Sequence, residues 1–402
     1  MSRRGAYAAS MLFASLAALP AIAIPAFARR YKTSCTTCHT LPPQLNSFGL
    51  AFRANGYRLP AGEERRQALD IQLGAPEWET LFPNAILPGT VSDLPPFAGM
   101  LRSSLESSVE ARRPRNEEIS VLVTLLAGGN LGKRASWFAE GGFTQTGAAL
   151  GRAWLSIDRI AGGPWLNVRA GRVEPAIVPW SRFTHRLTYA EYLPFEIRSG
   201  TLELGATRPA LEVFGAGSDP GPLRGLRYTA GLAARDANGL TADTYGRVSY
   251  KFGGVAAAGD QGATPSGPPV APLLETSLQL GAFIYRATLG GPATRPRALR
   301  AGADVTFDIG RLEAMAGGWI GEDDALAGTP WSLLLGTSVR PWPWLMLMGR
   351  YEALFTPGDG LQRRVLAAAR GALQQNVALT LEMELGIPDA NVGLIASLFL
   401  AF

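Results

Sequence analysis

The chain has 402 residues, of which 47% are hydrophobic and 18% are charged, against roughly 25% charged in an average soluble protein. Beyond the signal-like N-terminus, no uncharged apolar stretch approaches the roughly 18 residues of a membrane-spanning helix, which excludes helical spans for most of the chain. The net charge of +5 comes without a dense basic block, so the sequence does not favour a nucleic-acid partner.

The N-terminus has the pattern of an export signal. Two arginines precede an apolar run over residues 11–19, and Ala26-Phe27-Ala28 supplies the small residues that a signal peptidase reads. We therefore expect residues 1–28 to be a cleaved signal peptide, with a mature chain that begins near Arg29 and lies outside the cytoplasm. An uncleaved anchor helix is the alternative, because no charge follows Arg4 within this segment.

Both cysteines of the chain and one of its two histidines lie within five positions, as Cys35-Thr36-Thr37-Cys38-His39. C-x-x-C-H is the attachment pattern of c-type haem. Its two thiols reach the two vinyl groups of the porphyrin, and the adjacent imidazole binds the iron. We predict one covalent haem c, with Cys35 and Cys38 as thioether attachments and His39 as the proximal axial ligand. A disulfide would close a small, strained loop and leave the histidine unexplained, and a zinc site would need four ligands.

The second axial ligand of the haem must come from elsewhere, because neither methionine nor histidine lies between His39 and Pro96. Side-chain alternation places Met100 on the same strand face as Arg102 and Glu106, which points it into the lumen of the barrel predicted below. Met100 is therefore our candidate distal ligand; lumen packing and a five-coordinate haem are the alternatives. The other candidate side chains are Met315, Met346, Met348 and His185, whereas the alternation points Met383 toward lipid and excludes it.

Residues 29–82 have the pattern of a small α-helical haem module. Apolar side chains at helical spacing predict one helix over 44–57 and a second over 61–73. A proline-rich connector follows over 83–96. Because such a short module buries little core of its own, we expect it to pack against another part of the chain.

From residue 97 to residue 402, apolar and polar side chains alternate with a period of two. Segments of about 10 residues recur between turn signals, which predicts an all-β transmembrane barrel of about 16 antiparallel strands. Charged residues such as Glu106, Glu140 and Arg169 fall on the lumen parity, aromatic residues gather near strand ends, and the last strand ends on Phe402. A soluble β-sandwich or propeller, whose strands also alternate, is the alternative.

The fifth predicted strand ends near Val173, and residues 175–199 follow it without clean alternation. The strand count makes this segment an extracellular loop, with aromatic side chains that can fold into the pore. His185 is then either a surface-loop residue or part of an iron or electron path. The same count puts the Gly- and Pro-rich stretch 253–272 at the periplasmic end of the barrel, where turns are ordinarily short. A strand miscounted around 201–217 would move this stretch to the other end, so the count is weakest there.

Further positions around the C-x-x-C-H motif match the N-terminal signature of a known family. They are Ala26, Phe27, Ala28, Arg29 and Arg30 before the motif, and Pro43, Leu45, Gly49, Phe52, Gly56 and Tyr57 after it. Over residues 25–60 the chain resembles the fused outer-membrane monohaem cytochrome c–porin family, the bacterial iron oxidases. The resemblance implies Cys35, Cys38 and His39 as haem-binding residues, a haem module that plugs a porin-like barrel, and electrons accepted from extracellular Fe(II).

Two functions are compatible with these expectations. The first is an outer-membrane cytochrome that carries electrons across the outer membrane, from Fe(II) or by exchange with another extracellular donor or acceptor, and passes them to a periplasmic electron-carrier cytochrome. The second is a porin whose haem is structural or sensory. Both place the chain in outer-membrane lipid. Ferrous-iron oxidase activity belongs to the first, and neither assigns a catalytic residue apart from the haem ligands.

Overall fold

The computed structural model describes most of the chain from Ala26 onward. The described residues are 26–31, 33–59, 71–72, 90–91, 97–110, 113–131, 134–177, 179–181, 183–200, 202–234, 242–259, 274–288, 297–387 and 391–401. Most of the predicted signal peptide, of the second predicted helix and of the connector 83–96 lies outside these residues. Within them, no helix is both long enough and apolar enough to cross a membrane.

The N-terminal part consists of short elements. They are helix α1 Ala26–Tyr31, a 3₁₀ turn Cys35–Thr37, strands β1 His39–Leu41 and β2 Gln44–Leu45, helix α2 Ser47–Ala54, and strands β3 Ile71–Gln72 and β4 Thr90–Val91. Strand β1 pairs with β2, and β3 pairs with β4, both antiparallel. We call residues 33–59, which contain the C-x-x-C-H motif, the plug segment.

Helix α2 forms because its ends and one face are specified. Asn46 is the N-cap, and Phe48, Ala51 and Phe52 are buried on one face at helical spacing. Gly56 follows the helix with a φ of 66°, a left-handed conformation that favours glycine. The predicted helix over 44–57 is therefore confirmed at its centre.

The helix predictions are wrong at two places. Gln44–Leu45 is a strand, because it pairs with His39–Leu41 around the loop that follows the haem motif. Ile71–Gln72, at the end of the predicted second helix, is also a strand, because it pairs with Thr90–Val91. Strand pairing thus replaces helix at both positions, within a tight turn at the first and across about twenty residues at the second. The rest of the second predicted helix lies outside the described residues.

From Phe97 onward the structure is a closed antiparallel barrel of sixteen strands, as predicted. Each strand pairs with the next along the chain, and β20 pairs with β5, which leaves no free sheet edge. The fifth strand of the barrel ends at Val173, also as predicted. The strands are β5 Phe97–Glu110, β6 Arg113–Leu131, β7 Ala135–Thr144, β8 Gly147–Ile157, β9 Asn167–Val173, β10 Arg208–Ala216, β11 Leu226–Ala234, β12 Ala242–Gly253, β13 Glu275–Thr288, β14 Arg297–Gly310, β15 Leu312–Asp323, β16 Trp331–Trp342, β17 Leu345–Thr356, β18 Gly360–Gln374, β19 Val377–Ile387 and β20 Val392–Ala401.

Because the strands alternate in direction, β5 begins and β20 ends at the same opening, which we call the terminal mouth; the opposite opening is the far mouth. The plug segment lies inside the barrel at the terminal mouth. Its Arg58 forms an ion pair of 2.8 Å with Asp158 in the β8–β9 turn. Its Asn55 side chain donates to the carbonyl of Ala258 after β12, at 2.6 Å. The short N-terminal module therefore packs on the barrel, as its size predicts.

Side chains on the strands alternate between the outer surface and the lumen. Leu155 and Met383 point outward, where they are 62% and 49% exposed, whereas Glu140 is buried in the lumen. Near the terminal mouth, the outward rings of Trp342 and Trp344 stack with centroids 5.8 Å apart. The predicted parity, with an apolar outside and charges inside, is confirmed.

Residues 174–207, between β9 and β10, fold back into the lumen, and we call them the inner loop. The loop contains the short helix α3 Leu193–Glu196. Phe195 packs edge-on against Trp180 of the same loop and against Phe283 of the wall, with ring centroids 6.1 and 6.4 Å apart. The expectation that this loop folds into the pore is confirmed, and β10 keeps the strand count intact.

The connection after β12 lies at the terminal mouth, where connections between strands are ordinarily short. Its described part, residues 254–259, buries Ala257 and Ala258 against Ala216 of the wall and Ala54 at the end of α2. The described part of this connection therefore packs against the plug segment, and the strand order contains no miscounted strand around 201–217.

Candidate cofactor site

The three residues of the C-x-x-C-H motif lie together at the terminal mouth. Cys35 begins the 3₁₀ turn, and its N–H donates to Gln375 Oε1 in the β18–β19 turn, at 3.0 Å. The N–H of Cys38 donates to the carbonyl of Cys35 at 3.2 Å, which closes the turn, and His39 follows as the first residue of β1. Both cysteines are free thiols.

Asn46 joins this turn to helix α2. Its Nδ2 donates to the carbonyls of Thr36 and Thr37, at 3.1 Å each, while its Oδ1 accepts from the N–H of Gly49 at 2.9 Å. Gly49 lies so close to the turn that a Cβ there would overlap the Cys38 carbonyl oxygen. One amide and one glycine therefore fix the motif against the helix.

His39 is held in one orientation by the loop that follows it. Its Nδ1 lies 3.2 Å from the carbonyl oxygen of Pro43. Since a carbonyl only accepts, Nδ1 carries the proton, and Nε2 is left with a lone pair for a metal. Burial lowers the pKa of His39 to about 4, so the imidazole is neutral at physiological pH, which is the form that ligates iron.

The two thiols are also neutral. Burial raises the pKa of Cys35 to about 12, and burial together with the neighbouring Cys35 raises the pKa of Cys38 to about 12. The thiolate is the form that binds zinc and exchanges disulfides. This pair is therefore poorly prepared for either alternative chemistry at neutral pH.

A cavity of about 240 Å³ separates the plug segment from the lumen wall formed by β5–β8 and β20. Cys35, Cys38 and His39 line it on the plug side. A water molecule needs roughly 10–15 Å³ of such space, so the cavity admits a much larger group. Thiols, a free imidazole nitrogen and an apolar lining fit a covalently attached haem. The apolar lining includes Leu45, Phe48, Phe52, Leu126, Phe138 and Phe399.

Met100 on β5 lines the same cavity as His39, from the wall side. Met383 points outward and lies away from the cavity. Three further candidate methionines line, with His185, a separate cavity of about 30 Å³: Met315, Met346 and Met348. The structure thus brings Met100 together with the haem motif and keeps the other candidates apart from it.

His185 is part of the inner loop and faces the barrel wall, so of its two predicted alternatives the surface-loop histidine is wrong. Its Nε2 is 3.0 Å from Glu313 Oε1, and its Nδ1 is 2.8 Å from the Tyr192 hydroxyl. The Nε2 atom of Gln44, the residue after Pro43, lies 3.0 Å from the same imidazole. His185 therefore connects the inner loop to the part of the plug segment that orients His39.

Two arginines line the cavity. Arg152 forms a two-point ion pair with Glu140, at 3.1 and 2.8 Å, and its guanidinium lies 4.0 Å from the ring centroid of Phe183 in the inner loop. Arg53 comes from the last turn of α2. Burial and the nearby Arg152 lower the pKa of Arg53 to about 10, so it remains a cation at neutral pH.

Helix α1 contains the predicted signal-peptide cleavage site, and two of its residues before that site line the cavity. Phe27 and Ala28 line the cavity, and the Phe27 ring stacks on Tyr57 with centroids 4.6 Å apart. If cleavage follows Ala28, as the sequence predicts, the mature chain lacks both side chains. The cavity then widens beside Tyr57.

Three residues of the site were not predicted from the sequence: Asn46, Arg53 and Gln375. An asparagine directly before a helical pattern is a capping signal, so Asn46 could have been found. Gln375 contacts Cys35 across 340 positions of the chain, and no local signal points to it. A basic residue in the last turn of a helix is ordinary, which hid Arg53.

Comparisons with known proteins bear on the barrel. No protein-family model and no curated protein matches the chain. Among solved structures, an anion-selective porin from Comamonas acidovorans has a TM-score of 0.55 at 13% identity, covering 76% of this chain and 98% of that one. OmpF of Salmonella typhi, in complex with daunomycin, has a TM-score of 0.56 at 10% identity, with 76% and 97% covered. OprB of Pseudomonas putida, in its high-pH structure, has a TM-score of 0.53 at 9% identity, with 76% and 94% covered.

Identities of 9–13% establish the fold alone. Residues 97–402 make up 306 of the 402 residues, a share of the chain equal to the 76% that these matches cover. The chain therefore has the closed, sixteen-strand antiparallel barrel fold that outer-membrane porins share.

Proposed function

We propose that this chain is an outer-membrane c-type cytochrome of the fused cytochrome–porin kind, which transfers electrons across the membrane with one haem c held in its lumen. One observation carries the proposal. Cys35, Cys38, His39 and Met100 line a single, mostly apolar cavity inside a barrel of porin fold. Diffusion of solutes requires neither paired thiols nor a neutral imidazole with a free nitrogen.

Insertion in the outer membrane is supported by the alternation of the strands. The outward face is aliphatic, as at Leu155 and Met383, and outward tryptophans lie near strand ends. In this orientation the terminal mouth, where β5 begins and β20 ends, faces the periplasm, and the far mouth faces the outside. The predicted signal peptide, residues 1–28, would direct the export.

The residues of the cavity have distinct proposed roles. Cys35 and Cys38 would attach the haem, each by adding its thiol S–H across a vinyl group, which needs no external oxidant or reductant. Nε2 of His39 and the sulfur of Met100 would hold the iron, with His39 as the main protein ligand and Met100 as the proposed second one. When bound, the haem supplies a one-electron couple at its iron.

The inner loop favours electron transfer over solute transport. Its buried side chains pack on lumen-facing residues between the plug segment and the far mouth, as Phe195 does on Phe283. The N–H of Leu193 in the same loop donates to Glu352 of the wall at 3.1 Å. A diffusing solute needs a continuous water-filled path, whereas an electron crosses packed protein.

The proposed electron donor is extracellular Fe(II), on the basis of the family resemblance, which makes the chain a ferrous-iron oxidase. The proposed acceptor is a periplasmic electron-carrier cytochrome that docks at the terminal mouth. The plug segment and its cavity lie at this mouth, which supports an acceptor on that side. Another extracellular donor or acceptor would use the same route.

Stopped-flow mixing of the oxidised protein with Fe(II), in liposomes, tests the function directly. We expect the haem absorbance to report reduction, and the same liposomes not to swell in small solutes. A Cys35→Ala, Cys38→Ala double variant is the control, because it keeps the barrel and lacks covalent haem. No reduction by Fe(II), together with swelling, would make the chain a porin and end the proposal.

The role of Met100 has its own test. Met100→Ala removes the sulfur that faces the cavity, so we expect the absorbance spectrum to change from a six-coordinate to a five-coordinate or water-ligated haem. Met383→Ala is the matched control, because that side chain points outward. An unchanged spectrum of the Met100 variant would eliminate Met100 as the ligand while leaving haem attachment intact.

A further inference from the structure

The cavity that the haem motif lines carries a cation, Arg53, with no counter-ion at contact distance among the described residues. Arg53 lines this cavity from the last turn of α2. Its backbone carbonyl accepts from the N–H of Gly56, but its guanidinium has no hydrogen-bond or ion-pair partner among the residues that the structure describes. Its guanidinium therefore has all of its donors available to an occupant of the cavity.

None of the carboxylates near Arg53 forms an ion pair with it among the described residues. Glu140 binds Arg152 at two points, and Glu212 pairs with Arg169. Glu174 of the inner loop accepts from the Ser181 hydroxyl at 2.8 Å through one oxygen, and its other oxygen is buried without a hydrogen-bond partner. Glu174 raises the pKa of Arg53 from beyond contact distance, so it balances the charge of Arg53 only in part.

A charge withdrawn from water is costly unless an opposite charge and hydrogen bonds replace the water. The neighbouring arginines add to this cost, because Arg152 and Arg169 both act on the charge of Arg53 and lower its pKa. An anion in the cavity would remove the cost. A carboxylate suits the planar guanidinium best, because the two groups can form two parallel hydrogen bonds.

We propose that Arg53 binds a propionate carboxylate of the haem in this cavity. The inference deepens the proposed function and rests on it, because the haem is the occupant that Cys35, Cys38 and His39 attach. Arg53 lies eight residues after Leu45 and one turn after Gly49, on the helix that Asn46 joins to the haem motif. The same helix therefore presents both the motif and the proposed anion-binding residue.

The test compares four proteins that carry haem isotope-labelled in its propionate carboxyl groups. They are the natural chain, Arg53→Gln, Arg53→Lys, and Arg134→Gln as a matched loss of charge at an exposed position that does not line the cavity. We expect the infrared carboxylate bands of the labelled haem to shift in Arg53→Gln and to stay unchanged in Arg134→Gln. Arg53→Lys keeps the charge but not the two-point geometry, so its bands should move less.

The midpoint potential of the haem is the second readout. Without the Arg53 cation, the propionate opposes the incoming electron, so we expect the equilibrium constant for reduction to fall by about tenfold in Arg53→Gln. Arg53→Lys and Arg134→Gln should stay near the natural value. Labelled carboxylate bands that are identical in all four proteins would overturn the inference. If Arg53→Gln does not fold, the same comparison is made between Arg53→Lys and the natural chain, and identical bands in those two proteins would overturn it. Failure of the proposed function would look different, as a natural chain whose mass shows no covalent haem.

Discussion

The two halves of the lumen are filled in different ways. In the half toward the far mouth, charged side chains of the wall bind the backbone of the inner loop. Glu382 accepts from the N–H groups of Tyr189 and Ala190 at 2.7 and 2.9 Å, and Arg300 donates to the carbonyl of Ser199 at 3.2 Å. In the half toward the terminal mouth, the plug segment leaves a cavity of about 240 Å³.

This difference indicates that the inner loop has a structural role in one half of the lumen, whereas the other half has the properties of a binding site. A buried loop without regular secondary structure must have its N–H and carbonyl groups paired, and the charged wall supplies the partners. The half toward the far mouth is therefore held together by pairing between the wall and the loop. The other half keeps an apolar cavity and, in Arg53, a guanidinium without a hydrogen-bond or ion-pair partner among the described residues, as the proposed binding of haem requires.

The substitution with the largest expected effect removes the proposed haem and leaves the barrel folded. In the Cys35→Ala, Cys38→Ala double variant we expect complete loss of covalent haem, because no other cysteine exists in the chain to attach it. The strands of the barrel do not depend on either thiol. Mass spectrometry measures the haem, and heat-modifiable mobility in gel electrophoresis measures the folded barrel. Covalent haem in this variant would contradict the assignment, and a lost barrel would contradict the independence of the two halves.

A second change weakens the half toward the far mouth alone. Phe195 is fully buried between the inner loop and the wall, so Phe195→Ala should cost about 3–5 kcal/mol of local stability. Hydrogen exchange should then be more than about 100-fold faster in the inner loop, while the haem content stays unchanged. Leu155→Ala, at an outward and exposed position, is the matched control. Equal acceleration in the plug segment would show that the two halves open as one unit.

Much of this arrangement could be predicted from the sequence, because it depends on local periodicity and spacing. The alternation of side chains gave the strand number, the end of β9 at Val173 and the lumen face of Met100. The family signature also has physical reasons. Pro43 orients the haem-motif histidine through its carbonyl, Gly49 permits close approach to the motif, and a Cβ at Gly56 would meet the Asp158 carboxylate.

The rest depends on distant contacts that no local pattern encodes. The alternation placed Glu140 and Arg169 on the lumen side, but it does not show that both are buried there in ion pairs. The inward course of the inner loop places His185 against Glu313, which is 128 positions away. The missing partner of Arg53 is likewise a property of the whole fold, because it depends on which carboxylates other residues have already bound.

The substitution with the smallest expected effect lowers the local stability of the half toward the terminal mouth by changing a single side chain. Asn46→Ala removes the N-cap of α2 and both hydrogen bonds to the motif turn, which should cost about 1–2 kcal/mol. The Gly49 N–H should then exchange about 10-fold faster or more, with the inner loop unaffected. Asn46→Asp separates the two contributions, because aspartate still caps the helix but cannot donate to the carbonyls of Thr36 and Thr37. If the aspartate variant behaves like the natural chain, the cap alone matters; if it behaves like the alanine variant, the amide donors hold the haem motif in place.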